Sequence, residues 1–527
     1  MPRVLLIGWD GADWRILDAL LESGALPNLR TLIGRGRRGV LKSTIPTHSW
    51  SAWPSFLTGV EPADHGVYDI LESVPGTHKQ LPVTYRSIKE RTVLADLTAA
   101  GKRTVMVNVP LTFPPPEIEG RLIAGGVLPK GRDFTHPSGL AADLAKAGRA
   151  WPINGMSWTT YRHRPDAYLD EVNEVTRARI RAMDWLIDET EWDLAAFVFF
   201  STDRVQHCLS NFIAPDHPDY AENRTTSIGN RTADVYRMLD DSLGSLVSRA
   251  RDDDIVLFIS DHGFQSCTRC VHMDQLLRKL GLLHHSATQA VFGPMQWGVM
   301  RQVARKIYDL LGLHGKVSLP QPVNWSKTCA YTSIRSTGEG VSVNLEGREV
   351  DGVVPREDYD RVRDQVAEAI ETFRDPATGR SPVKKVWRRE EIFKGRFLER
   401  APDLLFEPAE GYSLTHAKRF VEKADWVSGD HRMDGVIVAA GPAVAADAFA
   451  QAPPNLIDIA PTLLAALDAP ASVAHTGRVL REVVGQEATV RAGESAAGAE
   501  LVAEGDAVTD TEADEMEEHL RGLGYLE

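Results

Sequence analysis

Three apolar runs along the chain each end in an aspartate. Val4 to Trp9 leads into Asp10-Gly11, Leu194 to Phe200 into Ser201-Thr-Asp203, and Ile255 to Ser260 into Asp261-His262-Gly263. Short continuous apolar runs of this kind predict strands buried on both faces of a parallel sheet. Between them the period changes from continuous to helical. Amphipathic helices are predicted from about Trp14 to Leu21, from Pro27 to near Gly34, from Arg91 to Gly101 and from Asp166 to Glu191. Another spans Asp219 to about Arg251, with a breaker at Gly229. Val40 to Ser43 and Thr104 to Val109 add strands. Alternating strands and helices predict an α/β fold, and open sheets of that kind bind ligands at the carboxyl edge of the strands. Three aspartates on that edge are therefore worth more than three aspartates.

The pattern weakens elsewhere. Pro114-Pro-Pro116 opens a stretch to about Pro165 that reads as irregular, an excursion over the ligand-binding edge. Met273 to Asn324 reads as an inserted helical segment with a Gly/Pro-containing linker, Gly312 to Pro322. Strands are predicted within Tyr331 to Leu345, at Val383 to Trp387 and at Asp403 to Phe406, with a helix from Arg356 to Phe373. Gly429 to Gly435 reads as a polar loop before the strand Val436 to Ala440, and Ile457 to Leu467 as a closing helix. An acidic Ala/Glu/Gly-rich linker, Gln486 to Asp510, precedes a last helix from Thr511 to Leu523. The expected division is a core in two parts, 1–272 and 325–485, a helical cap at 273–324, and an acidic linker with a terminal helix at 486–527.

Composition narrows the function classes. With 527 residues, 43% hydrophobic and 25% charged, the chain is long enough for an enlarged α/β domain with insertions. A formal net charge of −14 argues against nucleic acid polymers as partners and leaves room for a small anion held by metals. No apolar run reaches bilayer length. The opening apolar stretch is too short for a signal peptide, so the expected location is the cytoplasm. Cys208, Cys267, Cys270 and Cys329 make no disulfide framework, and a single CxxC pair is weak evidence for a metal or redox site.

The candidate chemistry centres on Ile45 to Gly59, where Ser49 opens a short apolar helix closed by Thr58-Gly59. A hydroxyl there faces free backbone N–H groups and the positive end of the helix dipole. A serine before a helix is commonly an N-cap, and an aspartate after a strand likewise. The joint pattern outweighs that reading. Asp203 and His207 are four apart and share a helix face. Asp261 and His262 are adjacent, and His431 follows Gly429-Asp430. Carboxylates mixed with imidazoles suit zinc first, with manganese or iron as lesser choices. Two sets separate: Asp10, Asp261 and His262 with Ser49, and Asp203, His207 and His431 with an open position. His65, His217 and His416 read as structural or surface residues.

Taken with Pro27-Asn-Leu, Pro46-Thr-His-Ser49, Thr58-Gly59, His65-Gly66, Asp261-His262-Gly263, Gly429-Asp-His431 and Asp458-Ile-Ala-Pro-Thr462, the chain resembles the alkaline phosphatase superfamily. It is closest to the type I phosphodiesterase/nucleotide pyrophosphatase branch, in that family's order, from about residue 3 to 480. The closing Leu-Gly-Tyr-Leu is similar to the ending of related prokaryotic chains. The resemblance implies a three-layer α/β/α sandwich with a mainly parallel sheet. It implies Ser49 as nucleophile and metal contact, where phosphodiesterases usually carry threonine. It implies two divalent ions, on Asp10, Asp261 and His262 and on Asp203, His207 and His431, and a covalent phosphoserine step. Ile70 stands where the family carries an asparagine that holds a phosphoryl oxygen, with His48 or Asn108 as substitutes. Ser49-Trp-Ser-Ala-Trp departs from the sulfatase pattern.

The expected function is a two-metal hydrolase of small phosphate esters, diesters or nucleotide pyrophosphates. Its rivals are a phosphomonoesterase or a phosphotransferase/mutase of the same superfamily, and a metal-bearing binding protein without catalysis. Self-association stays open.

Overall fold

In a computed structural model, the structure describes residues 2–162, 164–286, 323–334, 336–415, 419–425, 427–471, 475–493 and 508–526. The strands Val4–Trp9, Leu194–Phe199 and Ile255–Ile259 are buried at every position. Successive side chains point to opposite faces, so burial throughout means that both faces of the sheet are covered. Each fully buried leucine or isoleucine here contributes roughly 1.5–3 kcal/mol of transfer free energy. Truncating Ile7, which has no exposure, to alanine would cost about 2–5 kcal/mol.

The main sheet has eight strands in the order Arg37–Lys42, Asp434–Ala440, Ile255–Ile259, Val4–Trp9, Leu194–Phe199, Thr104–Pro110, Gly120–Gly125 and Thr135–His136. Five consecutive strands, from Ile255–Ile259 to Gly120–Gly125, run parallel. Asp434–Ala440 is antiparallel to Ile255–Ile259, and Thr135–His136 to Gly120–Gly125. With its helices this is the α/β/α sandwich expected. Register positions the site. Trp9 pairs with Phe199 and Gly8 with Ile259, so the residues that follow leave one edge side by side.

Three expectations fail. The break in the Asp219 to Arg251 helix falls at residues 224–226, between Tyr220–Asn223 and Ser227–Val247, and Gly229 sits inside the second helix, where its N–H bonds to the Thr226 cap. The stretch after Pro114 is not irregular throughout: it supplies strands Gly120–Gly125 and Thr135–His136 and the helix Leu140–Lys146. Between the glycines only Leu122, Ile123 and Ala124 are apolar, too short a run to announce a strand. The polar segment Gly429–Arg432 is not a loop but a strand, antiparallel to the first part of Gly263–Val271, with His431 opposite Phe264. Its polar side chains hide a strand because they face the site rather than solvent.

A second apolar cluster lies outside the main sheet. It joins the helix Met273–Lys279 to the helix Tyr359–Thr372 and to a four-stranded sheet, Ala330–Thr332, Gly340–Val343, Leu404–Pro408 and Val383–Arg388. Of the expected cap, residues 287–322 lie outside the described residues, as do 494–507 of the acidic linker. The last helix, Asp510–Gly522, opens with a Thr509/Glu512 capping box, and Met516, Leu520 and Tyr525 pack into the main core. Among the described residues no helix is long and apolar enough to cross a membrane. Cys267 and Cys270 are buried on one strand, and burial pushes the Cys270 thiol up to about 12, which leaves that thiol protonated and poorly suited to redox work.

Candidate active site

Asp10 follows its strand directly, and its carboxylate is not the cap of the next helix. Asp13 takes that role, its Oδ1 accepting from Arg15 N at 2.8 Å. Asp10 is left free to face the sheet edge, where Oδ2 accepts from Trp53 Nε1 at 3.0 Å. Asp261 Oδ1 accepts from Gly11 N at 3.1 Å. Asp203 and His207 lie in the helix Ser201–Ile213, as their spacing predicts. Ser49 is the first residue of the helix Ser49–Thr58, and His48, not Ser49, is the N-cap. The serine hydroxyl is thereby released from capping.

The two expected donor sets are brought together. Ser49 Oγ is 3.2 Å from Asp10 Oδ1 and 3.2 Å from His262 Nε2. His262 Nε2 is 3.7 Å from Asp10 Oδ1 and 3.4 Å from Asp261 Oδ2. In the other set, Asp203 Oδ1 is 3.3 Å from His207 Nε2 and 3.4 Å from His431 Nε2, and the two imidazole nitrogens are 3.0 Å apart. The sets are contiguous, because His262 also groups with Asp203 and His431.

These spacings fit a metal. Tetrahedral zinc with bonds of about 2.0–2.2 Å sets neighbouring donors roughly 3.3–3.6 Å apart. The hydrogen bonding agrees. Both oxygens of Asp203 and Oδ2 of Asp261 are buried without an aligned donor, a costly state unless a cation completes it. His262 Nδ1 donates to Gly263 O at 3.1 Å and His431 Nδ1 to Thr47 O at 3.0 Å. A carbonyl only accepts, so both rings carry hydrogen on Nδ1 and present an Nε2 lone pair.

Electrostatics point the same way. Burial, then the charges of Asp261 and Asp203, push the Asp10 carboxyl well above its usual range. Burial pushes Asp261 up to about 7. Burial opposes ionisation of Asp203, but His207 and Arg204 outweigh it and hold that carboxyl well below the usual range. Burial depresses His207, yet the Asp203 carboxylate raises it overall, while burial and His262 leave His431 neutral. Packed carboxylates with this little compensation favour divalent cations.

Other expected residues fall outside the cluster. Ile70 is a core residue with 1% exposure. Asn108 Nδ2 donates to Val198 O at 2.8 Å. His48 Nε2 donates to Tyr68 O at 3.1 Å and its buried Nδ1 has no partner, so it offers no donor to an oxyanion. His65 is structural as expected, with Nδ1 accepting from Val67 N and Nε2 bonded to Ser55 Oγ. His217 caps a local turn to Asp219 N, and His416 lies outside the described residues.

Sequence reading missed the supports. Trp53 was findable, four residues after Ser49 on the same helix. Gln206 Nε2 donates to Gly11 O at 2.8 Å, and Thr202 Oγ1 to Asp10 O at 2.6 Å. Buried Asp430 groups with His207 and His431. Glu339 Oε2 accepts from Thr47 N at 3.1 Å, holding the residue whose carbonyl accepts from His431 Nδ1. No local signal marks Glu339.

Solved structures of other proteins share this fold. The phosphonoacetate hydrolase of Sinorhizobium meliloti 1021, solved with phosphonoformate, has a TM-score of 0.53 at 16% identity, over 83% of this chain and 90% of that one. A murine ectonucleotide pyrophosphatase/phosphodiesterase 5, an inactive variant solved with AMP, has a TM-score of 0.51 at 15% identity, over 90% of this chain and 97% of that one. At such identities the likeness is one of fold. No curated protein matches the chain. Residues 4–434, which hold every residue of both donor sets, match the sequence family described as type I phosphodiesterase / nucleotide pyrophosphatase. The chain belongs to that family of phosphoric ester hydrolases.

Proposed function

We propose that the protein hydrolyses phosphate diesters or nucleotide pyrophosphates, with two divalent ions, zinc first among them, and a covalent phosphoserine intermediate. The observation that carries this is Ser49 Oγ at 3.2 Å from both Asp10 Oδ1 and His262 Nε2, at the first residue of a buried helix. Asp10, Asp261 and His262 would hold one ion with Ser49, and Asp203, His207 and His431 the other. Bound there, the ions would supply positive charge to the attacking, leaving and phosphoryl oxygens.

The chain's own residues do the rest. Asp10 Oδ1 accepts the hydrogen bond of the Ser49 hydroxyl, and Oγ gives up that proton as it attacks phosphorus, the proton leaving with the departing oxygen. The bond from phosphorus to the leaving oxygen breaks as the bond to Oγ forms. The Ser49 and Trp50 N–H groups precede the first backbone bonds of the serine helix, from Ser51 N and Ala52 N to His48 O, and would face the phosphoryl oxygens. Water then attacks the phosphoserine phosphorus, returns Ser49 to its hydroxyl form and releases the phosphate product. Trp53, Gly11 and Thr47 hold the donors in place throughout, so little reorganisation accompanies the step.

The test pairs elemental analysis with turnover of bis-p-nitrophenyl phosphate and p-nitrophenyl phosphate. About two ions per chain with faster diester turnover supports the reading. Monoester preference would move the assignment to the phosphomonoesterase rival. Absence of bound metal after reconstitution would sink the two-ion site.

A further inference from the structure

A cavity beside Ser49 belongs to neither donor set. Its wall includes Ser49, Trp50, Arg179, Arg204, His519 and Tyr525, and no carboxylate lines it. It joins the serine helix to the end of the chain, whose Leu-Gly-Tyr-Leu the catalytic reading leaves unused. Tyr525, with 5% exposure, packs edge-on to Trp50 and to His207, ring centroids 6.1 and 6.4 Å apart. The tail therefore forms the wall opposite the nucleophile.

The charges on this wall are only partly compensated. Arg204 is 8% exposed. Its Nη2 donates to the Tyr525 hydroxyl at 2.8 Å, its guanidinium carbon lies 4.8 Å from that ring's centre, and its Nε is 3.5 Å from Asp203 Oδ2. Asp203 is already claimed by two imidazoles. Arg179 is half-buried over Trp151, with one long bond to Pro152 O at 3.4 Å and a buried Nε that has no acceptor. Burial and the neighbouring Arg204 bring the Arg179 guanidinium down to about 10, and burial with Arg204, Arg179 and Lys130 brings His519 down to about 4. Buried guanidinium groups are normally paired with carboxylates or phosphates. Two facing one cavity, Arg204 sharing Asp203 with two imidazoles and Arg179 bonded to a neutral carbonyl, are arranged for an anion that arrives with the ligand.

We propose that Arg179 and Arg204 form a subsite for a second anionic group of the substrate, a carboxylate or a further phosphoryl group, with Tyr525 holding Arg204 in place. This rests on Ser49 marking where the reacting phosphoryl group binds. The enzyme would then favour esters that carry two separate negative groups over those that carry one.

The test is calorimetric binding to the metal-loaded protein of three probes: propylphosphonate, phosphonopropionate and ethylenediphosphonate. At least one doubly anionic probe should bind about tenfold or more tighter than propylphosphonate, the scale of one charge-assisted hydrogen-bond pair. Preference for phosphonopropionate assigns a carboxylate, and preference for ethylenediphosphonate a phosphoryl group. Arg179→Leu should abolish the preference and Arg179→Lys should keep part of it. Equal binding of all three probes to the wild type would overturn the subsite and leave the phosphoryl site standing. A preference that survives Arg179→Leu would come from the metals and would also overturn it. Failure of propylphosphonate itself to bind would count against the phosphoryl site, and with it the subsite.

Discussion

Ser49 Oγ and His262 Nε2 are 3.2 Å apart although 213 positions separate them in the chain. The strand register brings them together. Val4–Trp9 is paired on both sides, so the turn after Ile255–Ile259 delivers His262 beside Asp10, and the helix Ser49–Thr58 lays its first residue over the same point.

The two donor sets should empty independently. His431→Ala removes an imidazole from the Asp203 set and leaves Asp10, Asp261 and His262 intact. Metal content by elemental analysis should fall from about two ions per chain to about one. Retention of both ions would separate His431 from metal binding.

Trp53→Phe deletes the 3.0 Å hydrogen bond to Asp10 Oδ2 while nearly conserving buried volume. Metal affinity, read by competition with a chelator, should fall about 10–100-fold. Unchanged affinity would make the indole a packing residue only.

His65 supplies a pH dependence of stability. Burial lowers its pKa from 6.5 to about 3, and both ring nitrogens are engaged in the neutral form. As pH falls below about 6.5, the unfolded chain binds a proton here and the folded chain does not. Its stabilisation is complete above that pH and is lost as pH falls toward about 3, by up to about 1.4 kcal/mol per pH unit. Denaturant unfolding at several pH values should show this acid slope, and His65→Gln should flatten it by about one proton while lowering stability at neutral pH. An unaltered slope in that variant would contradict the assignment.

Tyr525→Phe removes the acceptor that holds Arg204, at 2.8 Å. The preference for doubly anionic probes should shrink about three- to tenfold, the net contribution of one typical hydrogen bond. A preference equal to that of the wild type would leave Tyr525 as a hydrophobic wall alone.

The legible part of this molecule is what repeats locally. Asp10, Asp203 and Asp261 could be placed on one edge because strands buried on both faces are written as apolar runs. Asp203 and His207 could be joined because helical spacing puts them on one face. The strand Gly120–Gly125 was hidden because its apolar core is three residues long, and Gly429–Arg432 because its polar side chains serve the site. Trp53 to Asp10 spans 43 positions, Glu339 to Thr47 spans 292, and Tyr525 to Arg204 spans 321. No periodicity encodes contacts of that range, so the supports and the cavity wall became visible only in the fold.

The most direct measurement is turnover of bis-p-nitrophenyl phosphate by wild-type protein and Ser49→Ala, each loaded with zinc and checked for metal content. The account predicts that the alanine variant keeps metal and loses about a thousandfold or more in kcat, as removal of a nucleophile does. Full turnover by Ser49→Ala with its metals in place would contradict the covalent serine mechanism.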